Sequence, residues 1–492
     1  MNQTRTRPRR RLSPAVAGPA AALLAAFATA FTASPEGRAQ DAPFDLVVAG
    51  GRVVDPETGL DGIRDVGIRD GTIAAISERS LSARDTIDAR GLVVAPGFID
   101  LHAHGQDAFS SRLQAQDGVT TALELEGGAG DIDAWYAARA GKALIHYGAS
   151  TSHGSARGRA VGGQQAGVRD AASVEQLALI ESRLRDELGR GALGIGYGIQ
   201  YTPGARREEI FRLFQVAADE GVTNFVHIRY AGQVEPGSSI EAVHEMIGNA
   251  AATGASVHIV HIGSSGLRQA PTLLAMIDGA RARGLDVSTE VYPYTAASTD
   301  IRSAIFDPGW RERLGADYGD IEWGSTGERL TAESFGGYRE RGGTLIAHII
   351  PEEVVETALV HPGVIVASDG VGFVNGRAHP RGAGTFARVL GRYVRERGIL
   401  SLTEALEKMT LLPARRLESY VAGMRAKGRV QVGADADLTA FDPATVIDNA
   451  TFEGPARASS GVLHVIVAGT PVVRGGVMQE NIFPGEAVRR EH

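Results

Sequence analysis

Pro96-Gly97-Phe98-Ile99-Asp100-Leu101-His102-Ala103-His104 runs from apolar residues into two histidines one position apart. Side chains alternate along an extended strand, so both imidazoles project to the same side. Short apolar segments recur downstream, separated by helical patterning: Thr121-Ala122-Leu123-Glu124, Ala143-Leu144-Ile145, Ala192-Leu193-Gly194-Ile195, Asn224-Phe225-Val226, Val257-His258-Ile259-Val260, Val287-Ser288-Thr289-Glu290 and Val364-Ile365-Val366-Ala367. With the first they make eight. Strands alternating with helices predict parallel βα units, and eight such units close a (β/α)8 TIM-like barrel of the α/β class, placed at residues 95–417. Chemistry in such barrels gathers at the carboxyl ends of the strands, where His102 and His104 stand.

Outside that region the pattern changes. Residues 41–94 read as short β segments such as Asp45-Leu46-Val47-Val48, and residues 418–492 return to them in Leu438-Thr439-Ala440-Phe441 and Val462-Leu463-His464-Val465. The simplest topology pairs the two ends in one small β-sandwich with the barrel inserted between them. Residues 300–343, between the seventh and eighth barrel segments, exceed a routine βα loop and are expected to form a lid insertion.

The first 40 residues are of another kind. Five arginines between Arg5 and Arg11 precede an alanine-rich run from Ala15 to Ala33 and then Gly37-Arg38-Ala39. This is the composition of a signal peptide, so export to the periplasm or medium is expected, and Arg9-Arg10 fits a twin-arginine route loosely. A membrane anchor is the alternative, although no second apolar span follows. The formal net charge of −8 becomes more negative without this segment, which carries six Arg and one Glu. Such acidity argues against nucleic acid as a partner, and no membrane partner is expected after cleavage. The chain has no cysteine, so no disulfide or thiolate ligand is available. Its lysines are Lys142, Lys408 and Lys427.

Three more groups stand at matching segment ends: His227 in Phe225-Val226-His227-Ile228-Arg229, His261 in Ile259-Val260-His261-Ile262-Gly263, and Asp369 in Ala367-Ser368-Asp369-Gly370. A single His-x-His pair is compatible with solvated surface histidines. Four histidines and an aspartate on one rim are what a hydrolytic zinc site requires, and one or two zinc ions are expected.

These motifs resemble the amidohydrolase superfamily over essentially the whole chain after residue 40. Gly191-Ala192-Leu193-Gly194 through Tyr201-Thr202-Pro203-Gly204, Tyr292-Pro293-Tyr294 with Ser298-Thr299, and His379-Pro380-Arg381 with Gly384-Thr385-Phe386 resemble the N-acyl-D-amino-acid deacylases. The resemblance implies a zinc barrel in which His102 and His104 hold one metal, His227 and His261 the second, and Asp369 contacts the first metal and handles protons. It implies a small acylated amino acid as substrate, cleaved at a linear amide. A dipeptidase or cyclic-amide hydrolase on the same barrel is the alternative, and a catalytically silent binding protein a third. Assembly as a homo-oligomer is compatible with all three.

Related enzymes bridge their metals with a carbamylated lysine or, in D-aminoacylases, a cysteine. Lys142 precedes its segment and Lys408 and Lys427 lie elsewhere, which leaves a carboxylate. Leu123-Glu124-Leu125-Glu126-Gly127 offers two on one face of a strand; Glu126, nearer the carboxyl end, is the expected bridge and Glu124 the alternative, either being also readable as an interior salt-bridged carboxylate. The resemblance further suggests Tyr292, Ser298 and Arg381 for the substrate carboxylate, with Arg229 assisting and His153 on the pocket wall. Each also has an ordinary structural reading. His348 is read as structural. The family often carries a lysine where this chain has Gly263, which would leave room for a larger substrate.

Overall fold

The computed structural model describes residues 43–491. The expected signal segment lies outside the described residues. No helix among the described residues is long and apolar enough to cross a membrane.

Eight strands form one parallel sheet in chain order: Phe98–Asp100, Val119–Ala129, His146–Ser152, Ile195–Gly198, Thr223–His227, Ser256–Ile259, Val287–Val291 and Val364–Val366. Their near-continuous burial follows from helices covering the outer face and packed side chains filling the inner one. The first and last strands are tied by side chain and loop. The Asp100 carboxylate accepts from the backbone and hydroxyl of Ser368, and the amides of His104 and Gly105 donate to Gly370 at 2.8 and 2.9 Å. This seam fixes Asp369 as a neighbour of His102 and His104 although it lies 265 or more positions beyond them in the chain.

The two chain ends share a nine-stranded sheet. Val93–Pro96, just before the barrel, pairs antiparallel with Leu438–Phe441, just after it, with Leu438 opposite Pro96 and Phe441 opposite Val93. The long strand Phe44–Asp55 breaks register between Val48 and Gly51; its first half pairs with Ala83–Asp88 and its second with Val93–Pro96. Gly50 sits at that bend with φ of 69°, a conformation glycine adopts without steric cost. The folded sheet closes over Val48, Val53, Val66, Ile68, Ile73, Leu438 and Ile466.

Between the seventh and eighth barrel strands, Ala297–Asp300, Ile321–Trp323 and Thr344–Ala347 make a separate three-stranded antiparallel sheet. Its own core joins Phe306, Trp310, Leu314, Trp323, Phe335 and Leu345. The long insertion expected from sequence is thus a folded subdomain, and it stands beside the strand ends that carry the histidines.

Candidate metal centre and pocket

His102 and His104 follow the first strand and their Nε2 atoms converge to 3.0 Å. Each ring is oriented from behind. His102 Nδ1 faces Glu290 Oε1 at 2.5 Å, and His104 Nδ1 faces Glu124 at 2.8 and 3.0 Å. An ionised carboxylate can only accept, so both Nδ1 atoms carry a proton and both Nε2 atoms are turned to one point. Asp369 Oδ1 lies 3.4 and 3.6 Å from the same two nitrogens, and Glu126 Oε2 4.0 and 3.5 Å from them. Two imidazoles and two carboxylates that converge this closely call for positive charge between them. Carboxylate–histidine pairs of this kind orient metal ligands, and the donor set suits zinc.

A second set lies beside the first. Glu126 Oε1 is 3.5 Å from His227 Nδ1, and Glu126, His227 and His261 form one cluster of convergent donors while His102, His104 and Asp369 form another. His227 Nε2 donates to Gln200 Oε1 at 2.9 Å, which leaves Nδ1 for the centre. His261 Nδ1 pairs with Ser265 Oγ at 3.1 Å, which leaves Nε2. Glu126 therefore turns one oxygen to each set, whereas Glu124 is occupied by His104 and by the amides of Gly127 and Gly128. His261 and Asp369 adopt positive φ, 35° and 50°, rare for residues with a side chain and concentrated at functional sites.

The electrostatics report the same demand for positive charge. Burial alone would lower the pKa of His102, but Asp369 and Glu290 raise it to about 10; burial likewise opposes the rise of His104 to about 9, driven by Glu124. Burial and the neighbouring imidazoles drop His227 to about 3, and His261 falls well below the ordinary value, so both are neutral bases near neutral pH. Burial raises Glu126 to about 7 against the pull of His104 and His102.

Asp369 links the centre to a pocket. Its Oδ2 forms an ion pair with Arg381 Nη2 at 2.9 Å. The Arg381 guanidinium is fully buried, 4.5 Å from the Tyr292 ring centre, and its Nε and Nη1 have no hydrogen-bond partner among the described residues. The Tyr292 hydroxyl, beside Ser264 and Arg381, is buried and makes no hydrogen bond of normal geometry either. Unpaired donors buried beside the cavity that Tyr292 and Asp369 line call for an anionic acceptor, and a guanidinium matches a carboxylate in shape. Ser298 lines the same cavity, its hydroxyl donating to Leu345 O at 2.9 Å.

Two expected residues lie elsewhere. Arg229 does not reach the pocket: Nε and Nη2 grip Glu245 at 2.8 and 2.7 Å and Nη1 donates to Ala205 O. Strand alternation stops at His227, where the strand ends, so the relation expected between 227 and 229 does not hold. His153 is no pocket wall. It opens the helix His153–Val161 and is buried against Tyr197, with Nε2 on Glu209 at 2.8 Å. Gly263 leaves no space in the pocket, because a side chain there would point to Val291, Ile350 and Val354. Lys408 and Lys427 are bound to backbone carbonyls and to Asp435 and Asp437, and His348 pairs with Glu322.

Sequence reasoning missed Glu290, His258 and Asp100. Glu290 accepts from His102 and, through its second oxygen, faces His258 Nε2 at 3.0 Å, while His258 Nδ1 pairs with Ser288. The available signal was a glutamate at the inward position of an otherwise uncharged strand, two residues beyond Ser288.

Comparison with known proteins agrees with this geometry. The amidohydrolase family model matches residues 115–473. N-acyl-D-glutamate deacylase of Alcaligenes xylosoxydans xylosoxydans is 33% identical, covering 91% of this chain and 97% of that protein, and D-aminoacylase of the same organism is 31% identical over the same shares. The structure of N-acyl-D-glutamate deacylase from Bordetella bronchiseptica, complexed with zinc and a phosphonate mimic of the tetrahedral intermediate, superposes with a TM-score of 0.79 at 30% identity. It covers 91% of this chain and all of that one. The chain belongs to the amidohydrolase family.

Proposed function

We propose that the protein is a zinc-dependent deacylase of N-acyl-D-amino acids, hydrolysing a linear amide to a carboxylate and a free D-amino acid. The observation that carries this reading is the contact between Asp369 and Arg381, which sets the proton-handling carboxylate of the centre against an anion-seeking guanidinium. His102, His104 and Asp369 would hold one zinc and His227 and His261 another, with Glu126 shared between them. Zinc so held supplies Lewis acidity toward a carbonyl and lowers the pKa of water from 15.7 to about 7.

The remaining work falls to side chains. Arg381 and Tyr292 fix the substrate carboxylate, so that the amide one bond further on is presented to the histidine pair. Asp369, oriented by Arg381, takes the proton of the attacking water and returns it to the departing nitrogen, without which an amine leaves poorly. Glu290 and Glu124 hold His102 and His104 in the Nδ1-protonated tautomer.

The test is amine release by the zinc-reconstituted protein from matched D and L N-acetyl amino acids. Turnover of the D series alone is expected. Turnover confined to dipeptides or cyclic amides would assign another amidohydrolase reaction to the same centre. The composition of residues 1–40 supports export as part of this reading, and fractionation of the full-length chain, expected to place it outside the cytoplasm, tests that element separately.

A further inference from the structure

The pocket beside the metal centre has a composition that discriminates among acylated D-amino acids, an inference that rests on the deacylase reading. The pocket extends from His227, His261 and Asp369 to a wall of Ala231, Ile305, Phe306, Leu314, Ala347 and Ile349. All of these but Ala231 come from the stretch between the seventh and eighth strands. Among the described residues no lysine or arginine lines this wall, and Arg381 lies at the other end of the pocket, against Asp369 and Tyr292.

Apart from Asp369, the polar groups that line the pocket are neutral, and most of their oxygens are engaged. Gln200 accepts from His227, Ser265 pairs with His261, Ser264 donates to His261 O and Ser298 to Leu345 O. Thr299 donates to the Tyr201 hydroxyl at 3.2 Å. Among the described residues, the buried donors beside the cavity without a partner are those of Arg381 and Tyr292, which the α-carboxylate requires.

Cations stand behind the wall, but they are committed. Arg169 and Arg339 pair with Asp307, Arg339 also donates to Phe306 O, and Arg313 donates to the carbonyls of Ile305, Asp307 and Pro308. A second carboxylate entering this space would exchange water for apolar carbon with no counter-charge, a transfer that is unfavourable unless the charge is paired.

We infer that this protein selects N-acyl-D-amino acids with apolar side chains and discriminates against acidic ones, and that the wall of the inserted subdomain is the determinant. It would therefore differ in substrate class from the D-glutamate deacylases it resembles.

The test compares kcat/KM for N-acetyl-D-methionine, N-acetyl-D-glutamine and N-acetyl-D-glutamate, side chains of similar length that add first polarity and then charge. The expected order is Met above Gln above Glu, with Met over Glu by about 10²-fold or more. Ile305→Arg, at a half-buried wall position where a long side chain displaces least, should reverse much of that ratio while zinc content stays unchanged. D-glutamate within about threefold of D-methionine would overturn the inference while leaving the deacylase reading intact. An unchanged ratio in a zinc-loaded Ile305→Arg protein would remove the wall as its cause. Hydrolysis of none of the three would overturn the deacylase reading itself.

Discussion

Glu124 and Glu126 sit two positions apart on one strand, equally buried, and their neighbours separate their roles. Glu126 faces both ligand sets and Glu124 faces only the back of His104. Glu126→Gln should therefore lower bound zinc by at least one equivalent, measured by elemental analysis after dialysis. Glu124→Gln should keep the stoichiometry but weaken affinity by roughly 10–100-fold, as loss of a carboxylate that orients a metal-bound histidine does. Asp369→Asn should retain zinc through His102, His104 and Glu126 and yet cut kcat by about 10² to 10⁴, because the amide cannot accept the proton of the attacking water. Zinc analysis beside single-turnover rates distinguishes these outcomes. Residues that end strands in a recognisable pattern, His102, His104, His227, His261 and Asp369, were legible from sequence. Glu290 was not, since the one signal, a carboxylate at an inward strand position, names no role until the fold places His102 and His258 on its two oxygens. Arg229 misled for the opposite reason: its spacing matched a strand that had already ended.

At the level of elements, the sequence marked eight barrel segments but placed two of them early. Ala143-Leu144-Ile145 precedes the strand His146–Ser152, and Ala192-Leu193-Gly194 precedes Ile195–Gly198. The apolar residues read as strand pack against the C-terminal segment, where Gly485 and Tyr147 exchange backbone bonds with Ala143 and Glu486. The third strand continues as Gly148-Ala149-Ser150-Thr151-Ser152 and the fourth is Ile195-Gly196-Tyr197-Gly198, so small residues dilute the hydrophobic signal in both. The inserted subdomain was legible only as excess length. Its stability rests on Trp310, buried and stacked on Phe335 with ring centres 5.3 Å apart, with Phe306 at 5.4 Å and Tyr318 at 5.6 Å. Trp310→Ala should remove about 3–5 kcal/mol from this local core. Hydrogen exchange should then quicken across residues 304–338, and KM for apolar substrates should rise as the Phe306 wall loosens, while zinc content is unaffected. Exchange unchanged in that segment would mean that the subdomain is held by its contacts with the barrel instead.

For the whole molecule, the joint between barrel and terminal sheet depends on charges buried far from the metal centre. Asp437, beside the strand Leu438–Phe441, accepts from Lys427 Nζ at 2.6 Å and from the amide of Ala468 at 2.8 Å, and it faces His146 Nε2 at 2.9 Å. His146 begins the third barrel strand, and its Nδ1 receives the amide of Glu486, so barrel, sheet and C-terminal segment meet at one carboxylate. Burial would raise the pKa of Asp437, but His146 and Lys427 outweigh it and hold the carboxyl below its usual range. A folded pKa below the unfolded value of 3.8 means that the unfolded chain binds the proton first as pH falls. The stabilisation is then complete above that value and is lost progressively below it. Removing one partner of a buried pair strands the other, so Asp437→Asn, which leaves Lys427 buried with only Asp435, should cost about 3–5 kcal/mol at neutral pH. Urea unfolding at pH 7 and about pH 3 tests both parts. The wild type should lose stability between them, and the variant should start lower and lose less; parallel losses in the two proteins would assign the acid sensitivity to other carboxylates, the clustered acids of the metal centre first among them.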